Sequence, residues 1–341
     1  MQVSDLDYAL PPECVAQVPA AMRTDARLLL LDRAGGTRRH AYVRELPGIL
    51  RAGDLLVLND SRVRPARMRG QRRSGGRLEV LFVAPGGAPS EWEVLVRGRP
   101  RVEEHVDFAG VRGQWLEALG DGRWRLRVEV DDVPAWLERR GEIPLPPYIH
   151  RNGTASETDD RDRYQTVYAR VPGSVAAPTA GLHFTAALLA ELAERGVRTA
   201  CLTLHVGPGT FLPVRSARLE DHRMLPERFI VTEAVAREIG EARQRGGRVV
   251  AVGTTTVRAL EAAAGPSGLP APGEGVASLF VTPGFRFRVV DALLTNFHLP
   301  RSTLLALVAA FAGWEAIRTA YAEAIESGYR FYSYGDAMLI E

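Results

Sequence analysis

Two histidines within one short segment are the residues best suited to acid/base chemistry. His183 lies in the run A-P-T-A-G-L-H-F-T, and His205 lies in L-T-L-H-V-G-P-G-T-F. An imidazole titrates near neutral pH, so a histidine can take up or release a proton under working conditions. A single histidine at a strand end more often packs with a hydrogen bond than catalyses. Two histidines, each flanked by glycine and threonine, favour an acid/base pair.

The elements that would position these histidines follow one another along the chain. Pro178 to Gly181 predict a turn, and Thr185 predicts the start of a helix with leucines at helical spacing. A largely apolar strand over 198–206 follows and ends in the small residues 207–210, which allow a ligand to approach the backbone. His205 is therefore expected at the carboxyl end of a strand, where ligands bind in open α/β sheets.

Polar residues also follow three other segments that read as buried strands. These groups occupy residues 59–61, 253–256 and 295–298. If the strands share one sheet, their ends converge with 205–210 on a single cleft. The turn at 253–256 leads into a helix, whose amino terminus favours an anion, while aromatic faces attract cations. The predicted ligand is a polar molecule that carries both a carboxylate and a cation.

The composition excludes several kinds of chemistry. The chain has no lysine, so Schiff-base catalysis, pyridoxal phosphate attachment and a Walker-type lysine are ruled out. It has neither a G-x-G-x-x-G dinucleotide motif nor a G-x-S-x-G elbow, and its histidines lack H-E-x-x-H spacing. Cys14 and Cys201 match no metal or redox spacing. We therefore expect no metal and no bound cofactor.

A cluster of arginines lies within a chain of nearly balanced charge. The net charge of +2 is too small to indicate a nucleic-acid partner by itself. A local patch could nevertheless bind phosphates, although charge that protects a strand edge is an equal alternative. The clustered residues are Arg62, Arg64, Arg67, Arg69, Arg72, Arg73 and Arg77.

The pattern of elements predicts two domains in the 341 residues. Short alternating strands fill 64–148, and Asp121-Gly122 is the strongest hairpin signal. Strands and helices alternate elsewhere, and strands are expected at 280–283 and 287–290. The polar stretch 152–163 is interpreted as a return linker or a lid. We predict a mixed-sheet α/β main domain (residues 1–63 and 158–341) with an inserted small antiparallel β-barrel domain (residues 64–157).

No apolar run is long enough to cross a bilayer, and no signal sequence opens the chain. We therefore expect a cytoplasmic protein with no membrane partner.

Motifs along the whole chain resemble the S-adenosylmethionine:tRNA ribosyltransferase-isomerase family of queuosine biosynthesis, also called the QueA family. The most specific are A-A-P-T-A-G-L-H-F-T and Y-S-Y-G-D-A-M-L-I. The segments that carry the resemblance are 7–11, 53–63, 144–149, 163–169, 175–185, 202–211, 252–260, 295–304 and 329–340.

The resemblance implies a ribosyl transfer enzyme. Such an enzyme moves and isomerises the ribosyl group of S-adenosylmethionine onto 7-aminomethyl-7-deazaguanine (preQ1) at the wobble position of tRNA. Epoxyqueuosine-tRNA forms, and adenine and methionine leave. S-adenosylmethionine is then a co-substrate, the anticodon stem-loop of the tRNA is the partner, and a monomer is expected.

The implied reaction suggests a role for each group of residues in the predicted cleft. His183 and His205 are the expected catalytic acid/base pair. The turn 253–256 would bind the methionine carboxylate, Phe211, Phe297 or Tyr334 would face the sulfonium, and Asn296 and His298 would contact adenine or ribose. The residues expected to contact substrate are Asn59, Arg62, Thr179, Gly181, Gly207, Gly209, Thr210, Phe211, Gly253, Thr254, Thr255, Arg258, Asn296, Phe297, His298, Tyr334 and Asp336.

Four positions depart from the family pattern. Asp60, Ser61 and Arg64 replace the expected asparagine, threonine and apolar residue, and Leu225 stands in place of a histidine. These departures leave the identity of the acceptor open. Two alternatives therefore remain: the same fold and donor acting on an acceptor other than tRNA, and a noncatalytic RNA-binding protein that uses the arginine-rich barrel.

Overall fold

The computed structural model describes residues 1–151, 157–211 and 216–341, without the side chains of 157–159 and 210–211. Short 3-10 turns at Thr179–His183 and Pro208–Phe211 flank the predicted helix and strand of the central segment. The helices are α1 (Leu46–Ile49), α2 (Val133–Arg140), α3 (Glu157–Arg163), α4 (Ala186–Glu194), α5 (Glu233–Gln244), α6 (Thr254–Ala262), α7 (Thr303–Ala312) and α8 (Trp314–Glu326). The strands are β1 (Arg27–Leu31), β2 (Arg38–Tyr42), β3 (Leu55–Asn59), β4 (Ser61–Val63), β5 (Arg67–Arg72), β6 (Arg77–Pro85), β7 (Glu91–Arg97), β8 (His105–Phe108), β9 (Val111–Gly120), β10 (Arg123–Val128), β11 (Val171–Ser174), β12 (Arg198–Leu204), β13 (Glu227–Val231), β14 (Val249–Val252), β15 (Gly273–Ala277), β16 (Ala292–Asn296) and β17 (Ala337–Ile340).

A nine-stranded mixed sheet forms the main body, in the order β15-β13-β12-β3-β14-β16-β17-β1-β2. The neighbours β12, β3, β14 and β16 are all parallel. Every residue of β3, β14 and β16 is buried, as expected for strands covered by helices on both faces. Alternate residues of β3 enter opposite cores: Leu55 and Val57 pack with α5 to α8, and Leu56 and Leu58 pack with α1 and α4.

A closed barrel, β10-β7-β6-β5-β8-β9, forms a second body with its own aromatic core. Trp136 of α2 packs edge-on against Phe82 and Phe108 and so closes one end of the barrel. Asp121 and Gly122 form the predicted hairpin turn between β9 and β10, both at positive φ (51° and 76°). The predicted fold class is confirmed, and the barrel strands fall within 64–157, while the exact domain boundaries stay a prediction.

Two predicted strands are wrong. Residues 280–283 and 287–290 are not strands, because their polar backbone groups have other partners. The Phe285 amide donates to Thr282 O at 3.0 Å, which makes a turn. The amides of Val289 and Val290 donate to the carboxylate of Glu261, each at 3.0 Å. A buried side chain thus replaces a neighbouring strand.

The predicted linker or lid is ordered in part. Residues 152–156 of that stretch lie outside the described residues. Residues 157–163 form α3, where Asp160 pairs with Arg151 at 2.7 Å and accepts the hydroxyl of Tyr334 at 2.9 Å. This end of the stretch is therefore fixed to the main body.

A helix must be long and apolar to cross a membrane. Across the described ranges, no single helix is long and apolar enough to span one, although the bent pair of α7 and α8 meets the criterion by length and composition.

A buried ion network holds the amino-terminal edge of the sheet, opposite the polar strand ends. Asp54 is 1% exposed and accepts hydrogen bonds from Arg248 Nη2 at 2.7 Å and from the Arg51 amide at 2.9 Å. Arg248 also donates to Glu341 at 2.6 Å. Burial by itself raises the pKa of Asp54, but hydrogen bonds from Arg248 and Arg51 outweigh burial, so the pKa is lowered.

The Asp54→Asn variant should therefore lose about 3 kcal/mol of unfolding free energy at pH 7, because it removes the more deeply buried of the two carboxylates that pair with Arg248. A carboxylate with a lowered folded pKa stabilises the protein above its unfolded pKa of about 3.9, and that contribution is lost as pH falls through the folded pKa. The difference between the two proteins should hence shrink below about pH 4. Urea unfolding followed by circular dichroism measures both effects.

Asp25→Asn is the matched control, since Asp25 pairs with Arg44 at the surface and its side chain is 43% exposed. We expect a loss of less than about 1 kcal/mol for this variant. Equal losses of unfolding free energy in the two variants would show that burial of the ion pair does not increase its contribution to stability.

Candidate active site

The carboxyl ends of the four adjacent parallel strands meet at one edge of the sheet. A cavity of about 450 Å³ opens there, which we call the first cavity. Eight of the predicted substrate contacts line it. The expected convergence of distant loops is thus observed for Thr179, Gly253, Thr254, Thr255, Arg258, Asn296, Phe297 and His298.

The start of α6 forms one wall of the first cavity. Gly253 ends the turn after β14 at φ 89°, a conformation that favours glycine. Thr254 and Thr255 follow in the first turn of the helix and line the cavity, while the Thr256 hydroxyl bonds back to Val252 O at 2.8 Å. First-turn amides lack partners within the helix and lie at the positive end of its dipole. This wall can bind a carboxylate.

A network of neutral polar groups forms another part of the lining. The Thr179 hydroxyl donates to Asn296 Oδ1 at 2.9 Å, and Asn296 Nδ2 donates to Tyr332 O at 3.1 Å, which fixes the orientation of the amide. His298 Nε2 lies 2.8 Å from the hydroxyl of Thr295. Burial lowers the pKa of His298 to about 3, so its ring is neutral at working pH. This wall can hydrogen-bond a sugar or a base without adding charge.

Aromatic rings from two distant segments complete the first cavity. Tyr148 and Tyr332 both line it, with ring centroids 4.7 Å apart, and Phe297 and Tyr164 lie in the same lining. The Tyr148 hydroxyl lies 2.7 Å from Ser333 Oγ, and burial raises the pKa of Tyr148 to about 12. Neutral tyrosine faces beside an anion-binding helix terminus suit a ligand with a cation and a carboxylate.

Sequence reasoning missed the lining tyrosines Tyr148, Tyr164 and Tyr332. A signal was present, because Tyr148 ends the proline-rich run 144–148 and Tyr332 lies among the aromatics at 329–334. These aromatic residues were nevertheless assigned to core packing, because the sequence does not show that distant aromatic residues meet in the fold.

A second cavity of about 310 Å³ adjoins the first. Arg258, Thr303 and Leu304 line both cavities. Arg258 forms a buried ion pair with Glu227, which also accepts the Gly207 amide at 2.8 Å, and Arg258 donates to Ala277 O at 3.0 Å. Burial raises the pKa of Glu227, and Arg258 opposes that shift. The predicted contact residue Arg258 therefore stands in the partition between the cavities with its guanidinium already engaged.

Neither predicted catalytic histidine lines the first or the second cavity. His183 is 5% exposed, and its two ring nitrogens face backbone carbonyls, Ala180 O at 3.1 Å and Gly335 O at 2.9 Å. Burial lowers the pKa of His183, so the ring is neutral and has only one N–H to donate. This geometry positions the turn Thr179–His183 against Gly335 and leaves no ring nitrogen free for substrate.

His205 has a different environment. Its Nδ1 is buried and has no hydrogen-bond partner among residues 1–151, 157–211 and 216–341. Burial and the nearby Arg64 and Arg228 lower its pKa, so the ring is neutral at pH 7. The next residue, Val206, lines the first cavity, and Gly209 lines the second. His205 therefore lies just before the segment that borders both cavities.

Other predicted contacts have structural roles outside the first cavity. Asn59 is fully buried and bonds Leu204 and Thr255. Tyr334 bonds Asp160, while the carboxylate of Asp336 accepts the amides of Arg27 and Arg330.

Five predicted contacts remain, and they do not share one location. A methyl group at Gly181 would lie 2.0 Å from the Tyr168 hydroxyl, and the Gly207 amide donates to Glu227. Arg62 is exposed and lies 3.6 Å from Glu138. The side chains of Thr210 and Phe211 lie outside the described part of the chain.

The four departures from the family pattern are accommodated locally. Asp60 accepts the Thr203 hydroxyl at 2.6 Å and pairs with Arg170 at 2.8 Å, so its buried charge is matched. The Ser61 hydroxyl accepts from Ser174 at 2.8 Å, and the Arg64 guanidinium lies over the ring of Trp92. Leu225 lines the second cavity.

Comparison with known proteins identifies relatives over the whole chain. The family model described as "Queuosine biosynthesis protein" matches residues 3–340. A protein of Pelobacter propionicus named S-adenosylmethionine:tRNA ribosyltransferase-isomerase is 52% identical, and the alignment covers 100% of this chain and 100% of that protein. One of the same name from Gloeobacter violaceus is 55% identical, over 98% of this chain and 94% of that protein.

A solved structure agrees with these relatives. The crystal structure of S-adenosylmethionine tRNA ribosyltransferase from Thermotoga maritima is 36% identical, covers 99% of this chain and 100% of its own, and superposes with a TM-score of 0.57. Full-length identity of this extent, together with the family match, is decisive. The chain belongs to the queuosine biosynthesis protein family.

Proposed function

We propose that the protein is an S-adenosylmethionine:tRNA ribosyltransferase-isomerase. It transfers and isomerises the ribosyl group of S-adenosylmethionine onto 7-aminomethyl-7-deazaguanine at the tRNA wobble position, which gives epoxyqueuosine-tRNA and releases adenine and methionine. One observation carries the proposal: the first cavity combines a helix amino terminus, neutral hydrogen-bonding groups and tyrosine faces, in a chain of this family. The proposal includes a cytoplasmic monomer without a bound cofactor, and a tRNA substrate and two free cysteines support the cytoplasmic location.

We propose one orientation for the donor in the first cavity. Its carboxylate binds at Thr254 and Thr255, where first-turn amides and hydroxyls are available. Its sulfonium lies against Tyr148 and Tyr332, because aromatic faces attract cations. Asn296 and His298, which line the same cavity, then bond the ribose or the adenine, and the neutral ring of His298 adds no repulsion toward the sulfonium.

Proton transfer is assigned to His205 in this scheme. The reaction needs a base for a ribose proton, and His205 is neutral at pH 7 and directly precedes Val206, which lines the first cavity. His183 acts as a positioning residue, since backbone carbonyls face both of its nitrogens.

The decisive test is incubation with S-adenosylmethionine and tRNA that carries the aminomethyl-deazaguanine. We expect epoxyqueuosine in the digested nucleosides by mass analysis, with release of adenine in equal amount. Treatment of the tRNA with RNase beforehand separates the alternatives. Undiminished product would indicate a free small acceptor, and RNA binding without adenine release would indicate a noncatalytic protein.

The Tyr148→Leu variant tests recognition of the sulfonium. We expect S-adenosylmethionine to bind about 3- to 20-fold more weakly, while S-adenosylhomocysteine, which has a neutral thioether, changes less than twofold. Calorimetric titration of each ligand measures the ratio of the two dissociation constants.

Tyr148→Phe is the control for this variant, because it keeps the ring and removes only the hydroxyl that contacts Ser333. Its preference for the charged ligand should equal that of the wild type. Equal weakening of both ligands by Tyr148→Leu would show that the ring contributes packing and no attraction to the cation.

The His205→Gln variant tests the proposed base. We expect a loss of about 100-fold or more in kcat if His205 takes a proton. Because the pKa of His205 is lowered below about 6.5, wild-type turnover should rise with pH below that value and level off above it. The variant should lack this acidic limb. Near-normal turnover with an unchanged pH profile would remove the assignment.

A further inference from the structure

We propose that the second cavity is the binding site for the acceptor nucleobase, and that the inserted barrel forms its roof. This inference rests on the proposed function, which requires two substrates but does not say where the second one binds. The second cavity lies against the first, across the partition residue Arg258. A base held there would face a donor in the first cavity.

The roof of the second cavity comes from the barrel. Leu95 of β7 and Asp121 and Arg123 of the β9–β10 hairpin line the cavity, together with the segment 216–227 of the main body. The hairpin thus reaches from the inserted domain to the cavity wall. Since both Asp121 and Asp221 are exposed, they lie at the rim, where a nucleotide turned out of an RNA loop can enter.

The polar groups of the second cavity match a guanine-like base with a cationic arm. Such a base presents N–H donors beside a carbonyl oxygen, and its aminomethyl group is a primary amine that carries a positive charge when protonated. Carboxylates at Asp121 and Asp221 can accept from the donors or pair with the ammonium, and Arg223 can donate to the carbonyl. Leu225 provides an apolar surface for the flat ring.

A buried hydroxyl without a hydrogen-bond partner in the described chain, that of Ser216, indicates that a ligand binds in the second cavity. Ser216 lines the second cavity, and its buried Oγ has no hydrogen-bond partner among the residues that the structure describes. Buried polar groups are nearly always bonded, and each exception calls for an explanation. A polar ligand in the cavity would provide the missing partner.

The test compares two forms of the same tRNA, one with the aminomethyl-deazaguanine and one with guanine at the wobble position. The double variant Asp121→Asn and Asp221→Asn keeps the shape of both side chains, and asparagine tolerates the positive φ of residue 121. We expect the dissociation constant of the modified tRNA to rise about tenfold or more. Binding of the guanine tRNA and of S-adenosylmethionine should stay within about twofold of the wild type.

The matched control is the double variant Glu129→Gln and Asp131→Asn, which removes two exposed charges from the same domain away from both cavities. Its preference for the modified tRNA should equal that of the wild type. Ser216→Ala is a smaller change, expected to weaken the modified tRNA about three- to tenfold, with the guanine tRNA and S-adenosylmethionine again within about twofold.

The outcomes separate this inference from the proposed function. If the wild type forms no product from modified tRNA and S-adenosylmethionine, the proposed function is wrong. If the wild type forms product but the Asp121/Asp221 variant keeps its full preference for the modified tRNA, only the second-cavity inference is wrong. It is also wrong if that variant weakens S-adenosylmethionine binding instead, because the second cavity would then belong to the donor.

Discussion

The side chain of Asn59 connects the elements on which the site depends. Its Oδ1 accepts the amides of Ser61 and Leu204 at 3.1 and 3.0 Å, and its Nδ2 donates to Leu204 O at 3.0 Å and to Thr255 Oγ1 at 3.3 Å. One buried amide therefore joins the ends of β3 and β12 to the first turn of α6. An amide is well suited to this position, because it both accepts and donates and introduces no charge into the sheet. The first cavity keeps its shape because the wall formed by the start of α6 is attached to two neighbouring strands.

Local signals in the sequence were sufficient to predict many elements. Thr185, Thr232 and Ser302 each accept a backbone amide three residues later, so these caps mark helix starts that can be read directly. The Asp121-Gly122 turn and the polar residues after β3, β14 and β16 were predicted on the same basis, since turns and strand ends depend on a few adjacent residues.

Long-range pairing could not be predicted in this way. Strand β17 lies between β16 and β1, which are distant in sequence, and nothing within Ala337–Ile340 specifies those neighbours. The lining tyrosines Tyr148 and Tyr332 meet only after the chain has folded. The wrong strand at 287–290 has the same origin, because Glu261 satisfies its amides from a separate helix. The direction of a side chain could not be predicted either, since both ring nitrogens of His183 face backbone carbonyls and not the first cavity.

The wall shared by the two cavities contains a buried ion pair, Arg258 and Glu227. A buried ion pair is expensive to desolvate, and apolar residues of similar size would often be at least as stable. Arg258 and Glu227 are nevertheless buried at this wall, and their remaining donors and acceptors bond Ala277 and Gly207. Each bond fixes a different part of the wall, the Gly207 loop on one side and β15 on the other. Directional hydrogen bonds from a charged pair resist displacement better than packed methyl groups do, so this pair holds the shared wall in place more firmly than apolar residues would.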